Sequence, residues 1–151
     1  MIEISKGVDV DRLLDRVVGR PDHFTKVVLC SPFIDDNMLN RVVPLAGIAH
    51  RSKCALRIIT SVEAGERVRK ALHSTLRHQR ELLIVSPRLH AKVYLAVAKR
   101  LNDTEVIVTS ANLTRAGTQS NVELGVRAKS TSIAGRRFLN QVHHFIGKLA
   151  A

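Results

Sequence analysis

Apolar positions in the first 85 residues alternate between short β-type runs and longer stretches with helical spacing. Short, apolar and often β-branched runs predict strands at Lys26–Cys30, Cys54–Thr60 and Leu82–Val85. Helical spacing predicts helices at Asp9–Val18, at Asn37–Ser52 with a disturbance at Pro44, and at Glu63–Arg80. Strands that alternate with helices indicate a sheet with parallel members joined by crossover helices.

In the second half of the chain the predicted strands follow one another without helices between them. Strands are predicted at Leu89–Ala98, at Glu105–Thr109 after a polar turn at 102–103, and at Asn121–Ala128 with Val122, Leu124 and Val126 on one face. A closing helix is predicted at Ser132–Leu149. No linker marks a domain boundary. The whole pattern predicts one α/β domain over residues 1–151, a mixed β-sheet flanked by helices on both faces.

The composition is that of an ordinary globular protein, since 45% of the 151 residues are apolar and 25% are charged. No apolar stretch approaches the length of a membrane span. The first residues, Met-Ile-Glu-Ile-Ser, lack the layout of a secretion signal. Cys30 and Cys54 lie in strand-like runs, so we expect buried, reduced thiols. The expectation is a cytoplasmic protein without stable membrane insertion.

The charge of the chain is strongly positive and unevenly distributed. It has 24 Lys and Arg against 13 Asp and Glu, a formal net charge of +11. Residues 1–50 hold six basic and seven acidic side chains, whereas residues 51–151 hold 18 basic and six acidic. Such a field attracts nucleic acid or an anionic membrane surface. Because only 3% of residues are aromatic, we expect contacts to the nucleic-acid backbone to dominate over base stacking.

Polar residues that carry chemistry recur at a spacing of two in the second half of the chain. His90 and Lys92 share one face of a predicted strand, as Ser110 and Asn112 do if their strand continues. Lys92, Ser110 and Asn112 can donate to a phosphoryl group. His90 can act as a nucleophile or as a general acid and base, and Glu123 can orient its ring. This set predicts phosphodiester chemistry through a covalent histidine intermediate.

Nothing in the set indicates metal chemistry. The half that carries His90 has no paired carboxylates for magnesium and no glycine-rich loop for nucleotide phosphates. Asp35 and Asp36 could bind a cation, but an N-cap of the next helix explains them better. Basic residues after Glu66 and, more weakly, Arg115 could contact phosphates along the substrate backbone.

The spaced pairs resemble the signature of the phospholipase D superfamily: His90-x-Lys92, then Ser110-x-Asn112, then Asn121-x-Glu123. Ser31-Pro32-Phe33-Ile34-Asp35 is also typical of its nuclease-like members. The resemblance covers about residues 26–147, and the short chain is similar to the minimal single-motif nucleases. The signature has Asp five residues after its lysine. Val97 stands at that position, and restriction-endonuclease-like members also lack this Asp.

This resemblance implies a phospholipase D-like sandwich and a role for each matching residue. His90 would form the phosphohistidine, and Lys92 and Asn112 would hold the non-bridging phosphate oxygens. Ser110 would support the Asn112 loop or donate to the same phosphate, and Glu123 would orient the imidazole. No metal and no organic cofactor is implied.

The implied mechanism needs two histidines, one to attack phosphorus and one to protonate the leaving oxygen. The sequence has seven histidines but a single His-x-Lys. We therefore predict a symmetric homodimer with one composite active site at the two-fold interface.

The leading functional hypothesis is a metal-independent phosphodiesterase that cleaves DNA as an endonuclease, with RNA left open as a substrate. A phospholipid phosphodiesterase is the runner-up, although no apolar docking surface or amphipathic anchor is evident. A catalytically silent nucleic-acid-binding module is the third alternative. The sequence has no zinc finger and no clear helix-turn-helix. We therefore expect sequence-independent cleavage or targeting by a partner protein.

Overall fold

Seven strands and five α-helices build the fold in the computed structural model, which describes residues 1–79 and 82–151. The strands are β1 (Ile2–Ser5), β2 (Phe24–Cys30), β3 (Ala55–Thr60), β4 (Leu83–Val85), β5 (Val93–Ala98), β6 (Glu105–Thr109) and β7 (Gly125–Lys129). The helices are α1 (Gly7–Gly19), α2 (Asp36–Arg51), α3 (Val62–Ala71), α4 (His73–Leu76) and α5 (Ile133–Ala150).

All seven strands belong to one mixed sheet in the order β1-β7-β6-β5-β2-β3-β4. Strands β2, β3 and β4 are parallel and α2 is the crossover between the first two, as the alternating pattern predicts. From β2 through β5, β6 and β7 to β1, neighbours pair antiparallel. The carboxyl ends of β2, β3, β4 and β6 therefore meet the amino ends of β5 and β7 at one end of the sheet, which we term the site end.

Helices cover both faces of the sheet, as predicted. On one face α1, α2 and α3 bury apolar side chains that include Val10, Leu13, Met38, Val42 and Val68. On the other face α5 buries Leu139, Val142 and Ile146. Strand residues alternate between these layers: in β5, Tyr94 and Ala96 face the first layer, whereas Val93, Leu95 and Val97 face α5.

Polar side chains at N-cap positions start three of the helices. Asp35 accepts a hydrogen bond from the backbone N–H of Met38 (2.9 Å) at the start of α2, which confirms its interpretation as an N-cap. Ser61 and Ser132 cap α3 and α5 in the same way. Helix α2 continues through the exposed Pro44, so the predicted disturbance does not end it.

Strand β5 begins later than the apolar pattern indicates. The prediction started this strand at Leu89, but its backbone N–H closes a turn onto the carbonyl of Ser86 (3.2 Å) and the strand starts only at Val93. Leu89 is buried against the α5 side of the core. Its apolar character therefore reflects packing of a loop and not membership of a strand.

Strand β7 also begins later, at Gly125 instead of residue 121. Val122 and Leu124 lie before the strand and are exposed, so they do not form a buried strand face with Val126. A Cβ on Gly125 would lie 2.5 Å from the carbonyl oxygen of Val108. The glycine thus permits the close pairing with β6 at which β7 starts.

The long basic helix predicted at Glu63–Arg80 is broken. Regular helix stops with α3 at Ala71, and α4 is one further turn after the buried Leu72. The break falls at Leu72, and the weak helix formers His-Ser-Thr at 73–75 make only the single turn of α4. Arg80 lies outside the described residues. Neither these helices nor any other in the described ranges is long and apolar enough to cross a membrane.

Strand β1 escaped prediction from the sequence. It has only four residues, and both of its isoleucines, Ile2 and Ile4, are exposed. Its place is fixed by antiparallel pairing with β7, where Ile4 lies opposite Val126. A partner more than 100 residues away is not visible in a four-residue pattern.

Both cysteines are free and buried, as the sequence predicts. Burial raises the pKa of Cys30 to about 11 and also raises the pKa of Cys54. Each thiol is therefore neutral near neutral pH, and neither sulfur is an activated nucleophile.

Candidate active site

The candidate site residues lie in four segments that meet at the site end of the sheet. These segments are residues 31–35 after β2, 86–92 before β5, 110–115 after β6 and 121–124 before β7. Three of them carry the predicted site residues His90, Lys92, Ser110, Asn112, Arg115 and Glu123. Helices α1, α2 and α3 also begin at this end, and their positive dipole ends favour an anionic ligand there.

His90 and Lys92 lie in the segment that leads into β5, not within the strand as predicted. The backbone N–H of Thr109, the last residue of β6, donates to the carbonyl of Lys92 (3.1 Å), so Lys92 lies beside the end of β6. Lys92 Nζ donates to the carbonyl oxygen of His90 (3.0 Å). Ala91 packs on the α5 side, which puts Lys92 on the same face as Tyr94. His90 is exposed and accessible to a substrate.

Ser110 and Glu123 form a direct contact. Ser110 Oγ donates to one carboxylate oxygen of Glu123, and Asn121 Nδ2 donates to the other (3.3 Å). The apolar strand predicted around Glu123 is wrong, because the residue precedes β7 and its carboxylate is satisfied by these polar neighbours. Within the described ranges, this carboxylate makes no hydrogen bond to His90.

The loop that carries Asn112 is fixed by buried neighbours on both sides. Tyr94 Oη donates to the carbonyl oxygen of the buried Ala111 (2.9 Å). On the other side of Asn112, the backbone N–H of Leu113 donates to the buried Ser31 Oγ (2.9 Å). The backbone around Asn112 is therefore positioned by β5 and by the end of β2.

The side-chain amide of Asn112 is incompletely paired. Its Oδ1 is buried and has no hydrogen-bond partner in the part of the chain that the structure describes. An unmade hydrogen bond at a buried polar atom costs about 1–3 kcal/mol, so such atoms are uncommon. Only a donor from a bound molecule or from a second subunit would remove that cost, because a phosphate oxygen is itself an acceptor and pairs with the amide NH2 of Asn112 instead.

Two residues that position Asn112 escaped the sequence analysis. A Cβ on Gly117 would lie 2.5 Å from the carbonyl oxygen of Asn112, so a side chain there would force the loop to move. Tyr94 is fully buried, and burial raises the pKa of its phenol, which stays a neutral donor. A signal existed for Tyr94: it lies two residues after Lys92, on the same face.

Asp35 joins the loop after β2 to the loop after β6. Its carboxylate caps α2 and also accepts a hydrogen bond from the backbone N–H of Arg115 (2.7 Å). The side chain of Arg115 is exposed beside the Asn112 loop. Asp36 pairs with Arg67. Across residues 1–79 and 82–151, no three His, Cys, Asp or Glu side chains come together as a group that could hold a metal ion.

Val97 occupies the position at which the superfamily signature has Asp. It lies in β5 and packs against the α5 side of the core, on the face opposite to Lys92 and Tyr94. Five residues of extended strand also separate it from Lys92 by about 16 Å. A side chain at this position does not reach a phosphate held by Lys92, so the departure from the signature leaves the candidate site unchanged.

Comparison with protein families gives one match that covers most of the chain. Residues 24–143 match the family model described as the cardiolipin synthase, PLD-like domain. The matched range includes every predicted site residue, from His90 to Glu123. No curated protein sequence matches the chain.

Several solved structures share the fold. Nuc, a phospholipase D family member from Salmonella typhimurium, superposes with a TM-score of 0.56 and 16% identity over 93% of this chain and 89% of that one. NucT from Helicobacter pylori gives 0.58 and 12% identity over 99% and 96%. TrmBL2, an archaeal chromatin protein that shows a novel mode of DNA binding, gives 0.54 and 14% identity over 97% and 52%. At these identities the likeness is one of fold.

Proposed function

Because the chain belongs to the cardiolipin synthase PLD-like domain family of the phospholipase D superfamily, we propose that it is a metal-independent phosphodiesterase that cleaves DNA as an endonuclease. The observation that carries this proposal is the exposed His90 at the same sheet end as Lys92, Asn112 and the Ser110–Glu123 pair. The net charge of +11, with its basic excess in residues 51–151, supports a polyanionic substrate.

In the proposed reaction, an imidazole nitrogen of His90 attacks phosphorus and forms a P–N bond while the P–O bond to the leaving oxygen breaks. A second imidazole gives its proton to that oxygen. Water then attacks the phosphohistidine, the P–N bond breaks, and the second imidazole takes the proton from the water. The reaction is a hydrolysis that needs no redox partner.

The other residues stabilise the negative charge of the phosphate and orient the reacting groups during these steps. Lys92 and the Asn112 amide donate to the non-bridging phosphate oxygens, where negative charge is concentrated. In this proposal Glu123 orients the attacking imidazole once substrate is bound, a contact in addition to the hydrogen bonds that its carboxylate accepts from Ser110 and Asn121. Arg115, exposed at the edge of the loop, contacts the neighbouring phosphate of the strand.

The second histidine comes, in this proposal, from a second copy of the chain. Ile4, Val122, Leu124 and Val126 are exposed apolar side chains on β1, on β7 and in the segment before β7, and we propose that they form one apolar patch. Ile4 and Val126 pair across β1 and β7, and Leu124 directly follows Glu123. Exposed apolar patches commonly mark interfaces. A symmetric dimer that covers this patch would bring two copies of His90 to one composite site.

The nuclease proposal is tested by cleavage of plasmid and single-stranded DNA in excess EDTA over about pH 5 to 8, the range in which imidazole groups titrate. We expect wild type to cut and His90→Ala to be inactive, because the nucleophile is gone. His144→Ala, which removes an exposed histidine of α5, is the matched control and should cut normally.

The remaining outcomes of this assay separate the alternatives. Equal cutting by wild type and His90→Ala contradicts the assigned nucleophile. If wild type does not cut DNA but hydrolyses phospholipid vesicles, the phospholipid phosphodiesterase replaces the nuclease. If it binds DNA and hydrolyses neither substrate, the protein is a nucleic-acid-binding module.

Mixing of variants tests the composite site. An excess of His90→Ala protein, equilibrated with wild type, should suppress cleavage because mixed dimers hold one histidine instead of two. An excess of His144→Ala should leave cleavage unchanged. Leu124→Lys should shift the protein to monomers in sedimentation, whereas Val18→Lys, at an exposed valine near the other end of α1, should not. A monomer with full activity contradicts the dimer.

A further inference from the structure

Phe33 differs from the other aromatic residues because its ring is exposed at the site end. Its residue surface is 58% exposed, whereas Phe24 and Tyr94 are buried in the core. Phe145 is also exposed, but it belongs to α5 on the other face of the sheet. Single exposed apolar residues are common on protein surfaces, so only the surroundings of this ring can indicate a ligand.

The backbone that carries this ring is held in place. Ser31 Oγ donates to the carbonyl oxygen of Phe33 (2.8 Å) and accepts from the backbone N–H of Leu113 (2.9 Å). The buried Pro32 restricts the backbone between them. Ile34 then forms a β-bridge with Leu113. The exposed ring therefore stands on a fixed support, so little conformational freedom is lost when a flat ligand stacks on it.

The ring borders a shallow groove of about 90 Å³ that adjoins the Asn112 loop. Thr114 lines this groove and donates its backbone N–H to the carbonyl oxygen of Asn112 (2.8 Å). Residues at the start of α3, including Glu63, form the opposite wall. The groove thus adjoins the loop that carries Asn112, within reach of a substrate that Asn112 binds.

The charges that line the groove indicate which chemical group of a substrate it can bind. Two carboxylates line it: that of Glu63, and that of Asp35, whose oxygens already accept the backbone N–H groups of Met38 and Arg115. Arg67 also lines it, but its guanidinium is engaged by Asp36 and by the carbonyl oxygen of Ile34. A second phosphate in this groove would lie near two carboxylates and an arginine that is already paired, so its negative charge is not favoured there. A ring system that stacks on a phenyl group and donates amino hydrogens to a carboxylate is favoured, which describes a nucleobase.

We propose that the Phe33 groove is a nucleobase subsite, in which the base next to the scissile phosphate stacks on Phe33 while Asn112 holds the phosphate. This inference rests on the proposed nuclease activity and adds to it a contact that the sequence analysis did not include. A base inside a duplex has both faces stacked, so the subsite takes an unpaired or displaced base.

The test compares short DNA substrates with and without bases in the presence of EDTA. The substrates are a deoxyadenosine dinucleotide, whose bases carry an amino group, the two analogues that lack one base each, and the analogue that lacks both. For wild type, loss of the base that occupies the groove should lower kcat/KM by about tenfold, since base–aromatic stacking is of that strength. For Phe33→Ala, the same loss should change kcat/KM by less than about twofold because the stacking partner is already absent.

Two further variants make the result specific. Phe33→Trp keeps an aromatic face and should keep the dependence on the base. Phe145→Ala removes the other exposed phenyl ring and should behave as wild type. On the analogue without bases, all four proteins should cleave at equal rates, which a damaged or misfolded variant would not do.

The inference is overturned if wild type and Phe33→Ala respond equally to loss of a base, or if Phe33→Ala becomes monomeric in sedimentation and so belongs to the dimer interface. Failure of wild type to cleave plasmid and single-stranded DNA, as well as every dinucleotide, is a failure of the proposed function instead. Whenever wild type cleaves no dinucleotide, the inference is decided by binding. Quenching of 2-aminopurine in a single-stranded hexanucleotide should be strong with wild type and weak with Phe33→Ala, and equal quenching contradicts the subsite.

Discussion

At the scale of single residues, the candidate site depends as much on buried neighbours as on the side chains that carry the chemistry. Tyr94 and Ser31 fix the backbone on the two sides of Asn112 through hydrogen bonds of 2.9 Å each. Gly117 packs against the same backbone. A spacing pattern in the sequence reveals polar side chains such as His90 and Asn112. Residues that position them, such as Tyr94 and Gly117, are recognised only from their contacts in the folded structure.

Gly117→Ala should displace the backbone that positions Asn112. The added Cβ would lie 2.5 Å from the carbonyl oxygen and 3.0 Å from the amide nitrogen of Asn112, so this backbone must shift. We expect a loss of about 1–3 kcal/mol in the free energy of unfolding. DNA cleavage should fall on the order of a hundredfold, because displacement of a positioning group by about 1 Å has that effect. Urea unfolding and a cleavage assay measure the two quantities.

Gly147→Ala is the matched control for this substitution. No atom lies within 4 Å of the position that its Cβ would take, and the residue is in the interior of α5. Alanine is the better helix former, so stability should rise by about 0.5–1 kcal/mol with cleavage unchanged. If Gly117→Ala behaves like this control, Gly117 does not position Asn112.

At the scale of elements, the predictions succeeded where local pattern and packing agree. Strand β6 matches its prediction, and α1, α2 and α5 lie within a few residues of theirs. The failures have a common cause. Strand β1 depends on a distant partner, and the apolar residues Leu89 and Val122 belong to loops, one buried and one exposed. A local pattern records that a side chain is apolar, not which element buries it.

Pro44→Ala should stabilise the protein. Pro44 is exposed in the interior of α2, where it supplies no backbone N–H and its ring crowds the carbonyl of Asn40, four residues earlier. Alanine removes both defects, so the free energy of unfolding should rise by about 1–3 kcal/mol in urea titrations. Pro32→Ala should have the opposite sign because Pro32 is buried before Phe33. Equal or lower stability of Pro44→Ala would show that α2 is already relaxed around the proline.

At the scale of the whole molecule, the sheet order could not be read from the sequence, although its mixed character could. Alternating strands and helices predicted parallel members, which are β2, β3 and β4, and the sequence pattern as a whole predicted a mixed sheet. The order places β5 next to β2, in the centre. Pairing of β5 with β6 puts the segment with His90 beside the loop with Asn112, and the long-range pairing of β5 with β2 brings residues 31–35 to the same end of the sheet.

Buried ionisable groups predict how the stability of the whole fold depends on pH. Burial raises the pKa of Cys30 from 9.0 to about 11, so its stabilising contribution is present below pH 9 and is lost as pH rises towards 11. His143 has the opposite sign. Burial and the charge of Lys26 lower its pKa below 6.5, so its contribution is present above that pH and is lost as pH falls.

Urea unfolding between about pH 5 and 11 should therefore give a stability maximum between these limits. Cys30→Ala should flatten the alkaline decline, and His143→Gln should flatten the acidic decline. The slope of stability against pH is the decisive quantity, because either substitution also changes packing. An alkaline slope that is the same in Cys30→Ala and wild type would assign the decline to other groups, such as Cys54 or Tyr94.

The contacts between the loops after β2 and β6 also bear on when the proposed cleavage activity can arise during synthesis. Ser31 bonds to Leu113 and Asp35 to Arg115, pairs that are 82 and 80 residues apart in the chain. Strand β1 pairs with β7, which is synthesised more than 100 residues later. Such contacts close large loops and form late. A growing chain on the ribosome thus lacks the contacts between these two loops until Leu113 and Arg115 have emerged, so the proposed activity is expected only late in synthesis.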